Sequence, residues 1–306
     1  MLRGKEDISE TKEYAAPCVM LLGGFDGLHI GHRELIRSAS GYGLPIGVMT
    51  IKGGKGMSLF TMEERAAMFG EQGLSFCYPV AFTDEVRNTT KEDFIRDLLS
   101  RFNAKAFVCG EDFRFGRGAE GTPEFIREYT GIPVHVHPIL CVGGKKVSTS
   151  GIKDCVGQGN MPAANSLLLR PFFLRGTVEE GRHTGRRIGF PTANLTYPAE
   201  KFPMREGVYA IHAALDGRVI YGIANFGPCP TFGITFRKAE AYFDGYEGDL
   251  YGKRIDLCFD AYIRPICRFE SGEALAEQLR RDISTMRALT GPESPDRRTA
   301  ETRTTD

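Results

Sequence analysis

Phosphate chemistry needs donors that converge on one point, and one segment of this chain supplies them: Gly23-Gly24-Phe25-Asp26-Gly27-Leu28-His29-Ile30-Gly31-His32. It follows the apolar run Val19-Met20-Leu21-Leu22 and precedes the helix-like stretch Arg33-Glu34-Leu35-Ile36-Arg37. A strand, a glycine-rich turn and a helix start aim unpaired backbone N–H groups and the positive end of a helix dipole at one place, which suits a nucleotide phosphate. His29 and His32, three residues apart, add donors on the same side. The turn has neither the lysine nor the spacing of a P-loop, so its phosphate chemistry is of another kind. The two imidazoles could instead form an i, i+3 metal pair. That reading lacks a supporting Cys-x-x-Cys anywhere in the chain.

A second cluster, Cys109-Gly110-Glu111-Asp112-Phe113-Arg114-Phe115-Gly116-Arg117-Gly118, ends the strand-like Ala106-Phe107-Val108. Strand C-termini of a parallel sheet line the ligand crevice. Phe113 and Phe115 offer faces to a ring system, Asp112 can hold a ribose or an amide, and Arg114 and Arg117 can meet phosphate. A turn with core aromatics is the other reading. Downstream, Lys145-Lys146-Val147-Ser148-Thr149-Ser150-Gly151-Ile152-Lys153 sets hydroxyls and a cation ahead of a helix, which those hydroxyls could simply cap.

In the second half, Gly185-Arg186-Arg187-Ile188-Gly189-Phe190-Pro191-Thr192-Ala193-Asn194 carries the strongest signal. Pro191 fixes the backbone, and Thr192 and Asn194, two apart, present oxygens to one side of an extended segment. Hard oxygens suit Mg²⁺, which takes few protein ligands besides nucleotide phosphates. Asn225-Phe226-Gly227-Pro228-Cys229-Pro230-Thr231-Phe232 reads as a rigid loop rather than a strand, held open against a planar ligand. Glu240, on the alternating segment Ala239-Glu240-Ala241-Tyr242-Phe243, is the candidate base.

These side chains need a scaffold, and the patterning supplies two. Strands are predicted at 17–23, 44–50, 75–81, 105–109 and 133–140, and helices at 31–40, 61–72, 90–102, 122–130, 149–156 and 161–168. That alternation predicts a Rossmann-like α/β domain with a parallel sheet covered on both faces. Beyond it, short turn-bounded runs at 173–178, 207–213, 218–224 and 254–259 predict an antiparallel barrel, followed by a helix over 272–289. The switch in period places a boundary near 165–172. The 306 residues accommodate two such cores. The polar stretch 291–306 reads as a disordered tail.

Lys plus Arg and Asp plus Glu both total 39, so the chain lacks the basic excess that supplies affinity for nucleic acid. Eight cysteines at long, irregular intervals, and an N-terminus without an apolar signal core, predict reduced thiols and a cytoplasmic location. No apolar run approaches the roughly 20 residues that span a bilayer. The sequence specifies no oligomeric state.

Together these segments resemble the bacterial bifunctional riboflavin kinase/FAD synthetase family over about residues 16–289. The His-x-Gly-His ending is similar to the signature of nucleotidyltransferases related to class I tRNA synthetases. The resemblance implies an FMN adenylyltransferase domain over 16–168 and a riboflavin kinase domain over 169–290, with riboflavin, FMN and ATP as substrates and Mg²⁺ as cofactor. By the same resemblance Thr192 and Asn194 bind Mg-ATP, with Gly185 and Gly189 beside the nucleotide, and Glu240 is the base. His29 and His32 stabilise adenylyl transfer. Gly23, Phe25, Asp26, Gly27, Gly31, Ser148, Thr149 and Lys153 bind nucleotide, while Asp112, Phe113, Phe115, Asn225 and Thr231 bind flavin. The chain departs from the family pattern at Gly24, where Asn is usual, at Lys153, where Arg is usual, and over Lys52–Gly56, which replaces a Phe-x-Pro-His-Pro-like segment. These departures all fall in the first half and leave an alternative, a non-catalytic nucleotide or flavin sensor beside an active kinase.

Overall fold

The structure is a computed structural model that describes residue 8 and residues 10–53, 56–180, 190–231 and 234–290. Gly185, Gly189, part of the 52–56 segment and the expected tail at 291–306 lie outside the described residues. Contacts divide the chain into two compact units. The first holds the chain up to Ile152 with two short segments, Leu167–Arg170 and Glu200–Phe202, and the second holds the rest.

In the first unit, β1 (Tyr14–Leu22), β2 (Ile46–Lys52), β3 (Phe76–Ala81), β4 (Phe102–Gly110) and β5 (Val134–His137) form a parallel sheet of order β3-β2-β1-β4-β5. Parallel sheets are buried on both faces, so their strands read as continuous apolar runs. Accordingly Cys18, Val19, Met20, Leu21 and Leu22 are all buried. The helices around the sheet are α1 (Ile30–Ser40), α2 (Met62–Glu71), α3 (Asp84–Asn88), α4 (Lys91–Arg101) and α5 (Pro123–Thr130). Local chemistry sets their ends. Thr61 and Glu64 form a capping box on α2, and α5 starts with Pro123 behind its cap Thr122 and stops at Gly131 with φ +66°. Not predicted were the short α3, a 3₁₀ turn at Arg117–Ala119 and a hairpin of β6 (Cys141–Val142) and β7 (Lys145–Lys146). Helices α6 (Thr149–Gln158) and α7 (Met161–Leu167) follow along the chain, and Lys153–Ser166 belong to the second unit.

The second unit is an antiparallel sheet of order β8-β13-β10-β11-β12-β9, formed by β8 (Phe173–Thr177), β9 (Ala193–Thr196), β10 (Gly207–Leu215), β11 (Arg218–Thr231), β12 (Ile234–Phe243) and β13 (Arg254–Arg264). A Cβ on Gly176 of β8 would meet the Leu195 side chain of β9 at 3.4 Å, so the end strands approach and the barrel nearly closes. Helix α8 (Gly272–Thr290) packs Ala276, Ile283 and Met286 against Val208, Ala210, Ile223 and Ala261.

One expectation is corrected here. Residues 225–231 are not a rigid loop; they continue β11 and pair with β12 in unbroken register from Gly222↔Phe243 to Thr231↔Ile234. Pairing with β10 ends at Gly207↔Phe226, so beyond Phe226 β11 has β12 as its one sheet partner among the described residues. Pro228 and Pro230, two apart, can turn their missing donors to the unpaired side, where a strand tolerates proline.

Candidate functional sites

The glycine-rich turn joins β1 to α1, and its two imidazoles are built into the helix start. His29 is the N-cap of α1, and its backbone N–H donates to His32 Nδ1 at 3.3 Å. Accepting that bond places the proton of a neutral His32 on Nε2. The rings stack with centroids 3.7 Å apart, and a Cβ on Gly31 would come within 3.1 Å of the His29 ring. Burial pushes the His29 pKa down to about 4, with Asp112 opposing and Lys146 adding to the fall. Burial, followed by the charge of His29, holds His32 well below the usual imidazole range. Both rings are therefore neutral near pH 7 and offer N–H dipoles rather than full cations. Among the described residues His29 Nδ1 is buried without a hydrogen-bond partner.

The remaining turn residues divide into two kinds. A Cβ on Gly23 would strike the Phe25 ring at 2.8 Å, whereas the space beside Gly24 is open, so this position accepts the side chain usual in the resembled family. Gly27 packs against Leu59 and Phe60. Asp26 Oδ1 accepts the Leu59 N–H at 2.8 Å.

A cavity of about 930 Å³ brings the three clusters of the first half together. Gly23, Phe25, Asp26, His29, Gly31 and His32 line one part of it; Asp112, Phe113 and Phe115 at the end of β4 line another; Ser148 and Thr149 a third. Phe113 and Phe115 stack with centroids 5.5 Å apart, while Phe115 also packs on Phe94 and is buried, so it is core and cavity wall at once. Arg114 Nη1 donates to the carbonyls of Glu111 and Phe113, which ties it to its own turn. Ser148 Oγ accepts the Gly151 N–H at 3.3 Å, so this hydroxyl caps α6 and lines the cavity. Lys153 stands one turn beyond Thr149 on α6.

Two polar contacts at the cavity were given no role from the sequence. Lys146 pairs with Asp112 at 2.5 Å, and His137 Nε2 lies 2.7 Å from Ser38 Oγ. Lys146 adjoins the Ser/Thr cluster, a hint in the sequence; its pairing with Asp112 crosses 34 residues and has no local signal.

In the second unit the sheet register assembles a different site. Asn194 of β9, Glu240 of β12 and Asn225 of β11 are consecutive partners across three strands, so they share one face. Ala239, Leu195 and Phe226 form the neighbouring row on the opposite, buried face. Asn194 is itself buried, and Glu240 and Asn225 are exposed. Thr192 lies half-buried just before β9. Phe190 packs edge-on against Tyr242 at 5.2 Å. Glu179, which the sequence did not single out, bridges Asn194 on its other side and accepts from Thr196 Oγ1 at 3.1 Å. Thr231 pairs with Ile234, six positions along β11 from Asn225, about 20 Å at strand rise, so it does not join this row.

This row suits a phosphoryl transfer in which hard oxygens hold a nucleotide's cation and a carboxylate accepts a proton. The cavity suits a transfer at a nucleotide phosphate, with neutral donors, a helix N-terminus and aromatic walls.

Comparison with known proteins adds to this geometry. The FAD synthetase family model matches residues 11–151, and the riboflavin kinase family model matches residues 168–290. The bifunctional riboflavin kinase/FMN adenylyltransferase of Escherichia coli is 31% identical over 315 residues, covering 96% of this chain and 99% of that protein. The proteins of the same name from Bacillus subtilis and Listeria monocytogenes are 30% and 28% identical, each covering 89% of this chain and 92% of theirs. A crystal structure of a Streptococcus pneumoniae protein named as a macrolide-efflux protein superposes with a TM-score of 0.79 at 27% identity, over 89% of this chain and 98% of that one.

Proposed function

The chain belongs to the bifunctional riboflavin kinase/FMN adenylyltransferase family, and from that premise we propose which of its residues carry each reaction. It phosphorylates riboflavin to FMN with ATP and adenylylates FMN to FAD with release of pyrophosphate. We assign the first step to the second unit and the second step to the cavity of the first.

For the kinase, the observation that carries the assignment is the row Asn194–Glu240–Asn225. The flavin 5′-hydroxyl attacks the γ-phosphorus of ATP, the bond to the β-phosphate oxygen breaks, and the hydroxyl proton passes to the Glu240 carboxylate. Asn225, next to Glu240 on the same face, orients the flavin. Thr192 and the buried Asn194 form a hard-oxygen donor set beside a carboxylate, which fits Mg²⁺, and these two residues would hold it. Bound there with ATP, the ion spreads the charge of the phosphates.

For the synthetase, FMN phosphate oxygen attacks the α-phosphorus of ATP and pyrophosphate leaves, so the nucleophile requires no base. The catalytic work is electrostatic, from donors around the α-phosphate. The His29 and His32 N–H groups and the start of α1 supply them at one end of the cavity. Phe113 and Phe115 offer faces to a ring, and Ser148 and Thr149 supply hydroxyls from the start of α6. Of the departures from the family pattern, Gly24 stands beside open space, and Lys153 is not among the residues that line the cavity.

One chromatographic assay tests the whole reading. Riboflavin with Mg-ATP is expected to yield FMN and then FAD, with pyrophosphate released only in the second step. Accumulation of FMN without FAD at saturating Mg-ATP would remove the synthetase assignment.

A further inference from the structure

The turn that opens the cavity carries backbone strain. Phe25 has φ +43°, a left-handed conformation that a residue with a Cβ keeps only where its surroundings impose it. That torsion depends on how the Gly24–Phe25 peptide is oriented, and the carbonyl of this peptide is held twice. Thr50 Oγ1 donates to it at 2.8 Å, and the Ile51 N–H donates to it at 3.2 Å.

Thr50 is fully buried at the end of β2, and its hydroxyl is itself held. Arg65 Nη1, from α2, donates to Thr50 Oγ1 at 2.9 Å and to the Ile51 carbonyl at 2.8 Å. A hydroxyl has one proton; with Arg65 donating into its lone pair, that proton is left to Gly24. Arg65 is 2% exposed, and its Nε has no hydrogen-bond partner among the described residues. Burial disfavours the charged guanidinium, the charge of Asp26 opposing this only in part, and a buried charge can often be replaced by apolar packing without loss. What an apolar residue would not do is fix the direction of the Thr50 hydroxyl. In a trans peptide the N–H points opposite to the C=O, so drawing the Gly24 carbonyl to β2 turns the Phe25 N–H away from β2. Gly24 and Phe25 both line the cavity.

We propose that Arg65 and Thr50 are positioning residues for adenylyl transfer, holding the Gly24–Phe25 peptide so that its N–H is presented to the nucleotide phosphate before charge develops there. The proposal rests on the reading of this cavity as the FAD synthetase site. Prior orientation is what makes a backbone donor effective in a transition state, because no reorganisation is needed as the reaction proceeds.

The test is Thr50→Val in the full chain, which removes the hydroxyl and keeps the shape, with Thr50→Ser as rescue and Arg65→Met alone and combined. The readouts are kcat and KM for ATP in FMN adenylylation, the rate of riboflavin phosphorylation, and amide hydrogen exchange across residues 19–28. Thr50→Val is expected to lower the adenylylation kcat about 10-fold with KM within about threefold, to leave phosphorylation unchanged and to speed exchange at the turn. Thr50→Ser restores both, and the double variant falls no further than the worse single one, as expected of two residues acting through one peptide. Normal kcat and exchange in Thr50→Val would overturn the proposal, as would an equal fall in both activities with early melting. Absence of FAD from the unmodified protein would instead overturn the reading of the cavity, and unchanged exchange in Thr50→Val would then overturn the turn-holding role as well.

Discussion

Glu240 of β12 lies directly opposite Asn194 of β9 in the antiparallel register, although 46 positions separate them in the chain. The pairing sets a carboxylate beside a buried amide on one face of the barrel. Removing charge at one position and oxygen at the other therefore tests two separate functions of one site.

Glu240→Gln keeps the side-chain shape and removes the proton acceptor. Riboflavin kinase turnover is expected to fall by about 10²–10⁴ with little change in flavin affinity, and FMN adenylylation to stay intact. Steady-state rates of both reactions on the same preparation decide it; near-normal FMN production would take Glu240 out of the mechanism.

Asn194→Ala removes a buried oxygen from the proposed cation site. The Mg²⁺ concentration for half-maximal kinase activity is expected to rise while the barrel stays folded. A Mg²⁺ titration at fixed ATP, with circular dichroism as control, gives the answer, and an unshifted curve would make Asn194 a strand residue only.

His32→Ala takes away a neutral donor and the ring stacked on His29. Adenylyl transfer is expected to drop by about 10²–10³, so that product stops at FMN. Lys153→Arg, in contrast, is expected to preserve or raise FAD yield, since a planar fork contacts two phosphate oxygens. Both outcomes are read from one product chromatogram, and unimpaired FAD formation by His32→Ala would exclude this ring from the reaction.

Two histidines predict opposite pH dependences for the two units. His29, pushed down to about 4 by burial, stays neutral when folded, so the unfolded chain binds the extra proton between pH 6.5 and 4. Its stabilisation is complete above 6.5 and is lost as pH falls towards 4. Burial alone would lower His212 too, but hydrogen bonds to Asp260, 2.9 Å from Nδ1, and to Cys258 outweigh it and raise the pKa to about 10. Its contribution is complete below 6.5 and is lost as pH rises towards 10. Thermal melting from pH 4.5 to 9.5 is expected to show the first unit weakening on the acid side and the second on the alkaline side. His212→Gln should flatten the alkaline fall, and an unaltered slope there would contradict the assignment.

The sequence by itself determined the features that depend on neighbours along the chain. Apolar periodicity marked the five parallel strands, and Gly23–His32 announced a strand-turn-helix junction because glycine and capping chemistry act within a few residues. The Ser148 hydroxyl likewise read as a cap and is one. Only the tertiary structure decided what depends on register. Residues 225–231 looked like an open loop because proline and glycine discourage strands locally; pairing with β12 on one side, after β10 has ended, let the strand continue. The row Asn194–Glu240–Asn225, the Lys146–Asp112 pair and the Arg65–Thr50–Gly24 chain join residues whose separations carry no periodic signal. Their meeting is fixed by which backbones hydrogen-bond and which side chains are sealed from water, and those are properties of the folded chain as a whole.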